Sequence, residues 1–135
     1  MATFIKVDSF VEKLAEKVFN LGSDTLTVAL TNTPHTASWS QLSDLTQISY
    51  ANLSSRVITT TSSAQTSGVY KLVLADLAMT TSGSVGPFQY VYVYDDTATN
   101  DELIGYLDYG TPLTLSAGLT FTVDFDASAG IITIT

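Results

Sequence analysis

Leu119-Thr120-Phe121-Thr122-Val123-Asp124-Phe125 alternates apolar and polar residues one for one, the period required of a strand with one dry and one wet face. The same period runs through Thr25–Thr31, where Leu26, Val28 and Leu30 alternate with Thr25, Thr27, Ala29 and Thr31. Six further segments read as strands: Arg56–Thr60, Val69–Leu74, Phe88–Tyr94, Leu103–Tyr109, Pro112–Leu115 and Ile131–Thr135. Turn signals such as Thr81-Ser82-Gly83-Ser84, Ala117-Gly118 and Ala127-Ser128-Ala129-Gly130 separate them. Connections this short leave no room for crossover helices, so they predict antiparallel pairing. Ser and Thr supply 36 of the 135 residues; Thr is β-branched and polar, which suits the wet face of a strand. Together these features predict a single domain over residues 1–135, a mainly β, jelly-roll-like antiparallel β-sandwich.

Ahead of the first strand the period is helical. Val7, Phe10, Val11, Leu14, Val18 and Leu21 recur at spacings of three and four, which places one apolar stripe on an amphipathic helix. Ser9 followed by Glu12 has the capping-box form, and Gly22 is a suitable left-handed stop. The expected helix spans about residues 8–21. Its stripe should cover part of a sheet or a neighbouring subunit.

Composition narrows the function classes. The absence of cysteine removes disulfides and thiolate chemistry and suits folding in a reducing cytoplasm. No apolar run approaches the ~20 residues a membrane-spanning helix needs, and Asp8 interrupts the N-terminus before a signal-peptide core forms. The formal charge of −8 is unevenly spread: the chain is neutral through Lys71, and every later charge is acidic. Such a surface repels phosphate backbones, so nucleic acid is not an expected partner.

Little in the chain points to catalysis. His35 is the single imidazole, and no Ser stands in a Gly-x-Ser-x-Gly elbow to partner it. One His without Cys makes a zinc site improbable; no catalytic residue, metal ligand or cofactor is assigned. Asp95, Asp96, Asn100 and Asp101 form the densest oxygen cluster, read by default as a solvated hairpin tip and alternatively as ligands for a hard cation. Phe88, Tyr90, Tyr92 and Tyr94 share one face of their strand, opposite Gln89, Val91 and Val93. Tyrosine joins a large apolar body to one polar tip, so this face suits either core packing or a subunit interface. Trp39 lies with His35 in the irregular stretch Asn32–Ser55, read as a long loop.

The segments Leu21–Thr33, Gly68–Leu74, Leu103–Gly110 and Thr120–Thr135, in this order and covering most of the chain, resemble a family of small structural proteins of tailed bacteriophage virions. The loop after the first strand of that family is usually rich in Ala and Gly, whereas Asn32–Ser55 here carries His35 and Trp39. The resemblance implies a non-enzymatic capsid cement or decoration protein, made in the host cytoplasm and placed on the capsid exterior. The implied partners are the major capsid protein and further copies of the chain as a homo-dimer or homo-trimer, with neither nucleic acid nor membrane involved. Tyr90, Tyr92 and Tyr94 are the expected contact surface, with the helix stripe or the Trp39 loop second. The alternative is a tail or adhesion accessory protein that binds carbohydrate on exposed Tyr and Trp39.

Overall fold

A computed structural model describes residues 2–135. In chain order it contains β1 (Phe4–Lys6), α1 (Phe10–Ala15), β2 (Leu26–Thr31), β3 (Val57–Ile58), β4 (Thr60–Thr66), β5 (Val69–Leu74), β6 (Leu77–Thr80), β7 (Val85–Asp95), β8 (Leu103–Leu115), β9 (Thr120–Val123) and β10 (Ile132–Ile134). Every strand pair is antiparallel. The strands form a five-stranded sheet in the order β1-β8-β7-β2-β3, a three-stranded sheet β10-β5-β4 and a pair β6-β9. Among the described residues no helix is long and apolar enough to cross a membrane.

The predicted Val69–Leu74 strand is β5, residue for residue. Leu103–Tyr109 and Pro112–Leu115, read as two strands, are the single strand β8. Pro112 interrupts the pattern without breaking the strand. It lies beyond Leu107, the last β8 residue that β1 pairs, in a stretch flanked by β7 alone, where a missing amide is tolerated. Three strands escape the sequence reading. β4 (Thr60-Thr61-Ser62-Ser63-Ala64-Gln65-Thr66) is polar and mostly exposed, so no apolar alternation reveals it; its pairing with β5 holds it. β1 and β6 are only three and four residues long.

β2 and β7 organise the core. In their ladder Val28 faces Val93 and Leu30 faces Val91, while Thr27, Ala29 and Thr31 face Tyr94, Tyr92 and Tyr90 on the opposite side. All six β2 residues are buried. The wet face expected for its threonines is therefore a covered one. Leu72 and Leu74 of β5, Met79 of β6 and Val123 of β9 join Val91 and Val93 in one hydrophobic cluster, which unites the three sheets. β9 and the two residues after it keep most of the expected alternation, with Val123 and Phe125 buried, Phe121 half-buried and Thr120, Thr122 and Asp124 exposed, but Leu119, expected on the dry face, is exposed.

The helix is shorter than expected: α1 covers Phe10–Ala15, not residues 8–21. Ser9 occupies the N-cap without a side-chain cap bond, and its Oγ is buried without a partner. At the other end Lys17 adopts a left-handed φ of 69°. Its amide donates to Leu14 O at 3.3 Å and that of Val18 to Lys13 O at 2.9 Å, the paired bonds of a Schellman stop. The chain turns there because Phe19 and Leu21 must reach the core, where the Phe19 ring stacks on Phe10 at 5.2 Å. A longer helix would carry both away from it.

Two substitutions test this account. Lys17→Gly relieves the left-handed strain of a side-chain-bearing residue, offset in part by greater unfolded-state freedom; a net gain of about 0.5–1 kcal/mol is expected in urea denaturation. Gly105 of β8 lies under β1, where a Cβ would come within 2.6 Å of the Ile5 carbonyl oxygen. Gly105→Ala should cost about 1–3 kcal/mol as an overpacked contact, with loss of amide protection centred on Phe4–Lys6.

Candidate functional site

The tyrosine ladder lies inside the chain. Tyr90, Tyr92 and Tyr94 are 9%, 0% and 4% exposed, so they do not present the outward contact surface expected from their alternation. They face the segment between β2 and β3, which roofs this side of the sheet. Tyr50 of that segment accepts the Leu30 amide at 2.9 Å through its hydroxyl and donates to Gln47 Oε1 at 2.7 Å. Arg56 donates to Val28 O and lays its guanidinium 3.7 Å from the Tyr50 ring centroid. The Ile48 amide bonds Leu30 O at 3.1 Å, and Val28 bonds Arg56 O at 2.9 Å. The long loop therefore both covers the tyrosines and completes the hydrogen bonding of β2's outer edge.

His35 and Trp39 sit at the rim of this roof, both half-buried. The His35 ring stacks on Tyr106 at 4.5 Å, meets Trp39 edge-on at 5.8 Å, and hydrogen-bonds the Tyr92 hydroxyl through Nδ1 at 2.7 Å. Burial holds the Tyr92 hydroxyl well above its ordinary pKa, so it stays protonated and can pair with either neutral tautomer of the His35 ring. Burial lowers the His35 pKa, opposed by the charge of Asp8. The role of His35 here is to pin the roof to β7.

The acidic stretch divides. Asp95 is fully buried at the end of β7, and Glu102 is 3% exposed just before β8. Asp96 and Asn100 are exposed, and Asp101 takes a left-handed φ of 51°. Asp95 Oδ1 accepts the amides of Thr97 and Ala98 at 3.0 and 3.1 Å, closing the turn. Among the described residues no three His, Cys, Asp or Glu side chains gather where they could hold a metal ion. Asp95, Asp96 and Asp101 of this loop thus form no such group.

Two adjoining grooves open beside α1. The larger, about 1050 Å³, lies between the turn Asn20–Asp24 and the hairpin Thr97–Asn100, with Tyr70 also in its lining. The smaller, about 420 Å³, is lined by α1, β1 and β10. Leu14 and Ile134 belong to both. β1 and β10 are edge strands of their sheets, so two unpaired strand edges meet one apolar opening. Val11 and Ile134 there are 54% and 45% exposed. In the sequence the helix stripe and the apolar strand Ile131–Thr135 are the signals at this surface; that β1 and β10 are edges is decided by the tertiary pairing.

Compared with protein-family models, curated proteins and solved structures, the chain has no match.

Because the folded His35 pKa is depressed, the stability it contributes is fully present above about pH 6.5 and is lost as pH falls through the folded value. An NMR titration of His35 should give a midpoint below 6.5, and the fluorescence of Trp39 should change over the same range. Tyr92→Phe removes the pinning bond and should cost about 1 kcal/mol.

Proposed function

We propose that this chain is a non-enzymatic structural protein of a tailed-phage virion, a capsid cement or decoration protein that bridges capsid subunits. The observation that carries the reading is the apolar groove at which two strand edges and the exposed Val11 and Ile134 meet. Unpaired edges beside apolar surface are suited to receiving another chain. Many identical shallow contacts of this kind add up when copies are arrayed on a shell. The partners are the major capsid protein and further copies of the chain in a closed dimer or trimer, on the capsid exterior. The resemblance seen in the sequence points the same way. We read the three sheets as layers of a jelly-roll-like sandwich, because residues of all three share one apolar cluster.

The contact surface in this reading is the groove along α1 and β10, with the Trp39 rim as a second contact. Tyr90, Tyr92 and Tyr94 act behind it by keeping the sheet rigid. Purified virions should contain on the order of hundreds of copies, whereas a handful at the tail tip would overturn the cement reading. Val11→Asp leaves the core intact, since Val11 is exposed, and should abolish incorporation into the particle while the isolated protein remains folded.

A second reading, a tail or adhesion accessory protein, is favoured by one observation: half-buried Trp39, His35 and Tyr106 form a partly open aromatic cluster. Such a cluster has the character of a sugar-stacking platform. Saturable glycan binding lost in Trp39→Ala would support it over cement.

A further inference from the structure

Behind the larger groove a buried acid, Asp95, lies next to Asp24, a half-buried residue of the groove's lining. Asp95 is fully buried. Its Oδ1 is occupied by two turn amides, while its Oδ2 is buried with no hydrogen-bond donor among the described residues. The group in hydrogen-bonding reach is the Asp24 carboxyl. Two carboxylates are both acceptors and make that contact only when one of them holds a proton. Asp24 is itself fixed in its turn, accepting the Asn20 amide at 2.9 Å.

The pair sits where two walls of the groove are joined. Asn20–Asp24 forms one wall and the β7–β8 hairpin the other. Besides the acid pair, two hydrogen bonds tie the segments next to it: Thr25 N to Thr97 Oγ1 and Asp96 N to Thr25 O, each 2.9 Å. The neighbouring charges do not relieve a second negative charge. Asp96 and Asp101 lie on the same hairpin, and Glu102 lines the groove with its carboxylate turned to Asn100. Lys17, the one base among the groove's lining residues, belongs to the segment after α1.

We propose that Asp24 and Asp95 hold one proton between them and form a pH-sensitive latch across the groove, so that losing the proton parts the turn from the hairpin. Burial and the Asp24 carboxyl raise the Asp95 pKa from 3.8 to about 7, which places the release near neutrality. The native state binds the extra proton, so the stability the pair contributes is fully present below the unfolded value. It falls as pH rises from about 4 to about 7. The latch holds whatever occupies the groove and goes beyond the assembly reading.

Carboxyl-carbon NMR of the wild-type protein tests the proton directly. Asp95 should show an apparent step near 7. After correction for intrinsic rates, hydrogen exchange at the Thr25 and Asp96 amides should rise about tenfold from about pH 5 to about pH 8. Asp95→Asn supplies a permanent N–H donor to Asp24 and should abolish that rise. Asp95 titrating in the ordinary range near 4, or exchange at Thr25 and Asp96 that does not change with pH, would overturn the latch. The wild-type titration decides the matter even if the variant fails to fold.

Discussion

The burial of β7 on both faces is the constraint on which the remaining structure depends. Val91 and Val93 contribute to the core shared by the sheets, while Tyr90, Tyr92 and Tyr94 fill the other side. A strand apolar on both faces is stable only if something covers each. On the valine side, strands from the two smaller sheets contribute. On the tyrosine side the cover is an irregular segment, which gives the long loop a structural role and packs its Trp39, Leu42, Leu45, Ile48 and Tyr50 against the core.

A covering loop brings polar main chain and hydroxyls into dry surroundings, and most of them are satisfied locally. Thr31 Oγ1 donates to Thr46 O at 2.6 Å and accepts the Thr33 amide. Asp44 Oδ2 takes the amides of Ser40 and Gln41. Tyr50 and Arg56 supply side-chain bonds to β2. The exceptions are Ser9 Oγ, Thr27 Oγ1 and Asp95 Oδ2. For an isolated hydroxyl the cost is modest; for a carboxylate oxygen it is large enough to change the protonation state. The same dryness that stabilises the tyrosine face thus has an electrostatic counterpart at the far end of β7.

The two sheet edges are treated differently. The edge of β2 is closed by β3 and by the loop residues Ile48, Tyr50 and Arg56. β1 and β10 stay uncovered and share an apolar groove with exposed Val11 and Ile134. Edge strands are ordinarily protected by charge, Pro or cover. Two edge strands therefore border one apolar groove, a combination suited to the assembly contact proposed above.

Local pattern alone determined the antiparallel β class, the position of β5, the cores of β2, β7 and β8, and the irregular stretch after β2. These rest on periodicity, which neighbouring residues carry themselves. The tyrosines' common face was equally legible, but whether that face met water or protein was not, because period 2 reports sides and not what lies beyond them. Tertiary packing decided the rest. β4 exists because β5 offers it a ladder. α1 stops at Ala15, with the left-handed turn at Lys17, because Phe19 and Leu21 are drawn into the core. Asp95, the last residue of β7 and opposite Leu26, in a run that reads as a solvated tip, is buried beside the segment before β2, whose Thr25 carbonyl takes the Asp96 amide. In each case the deciding free energy comes from a partner distant in sequence, and no local window contains it.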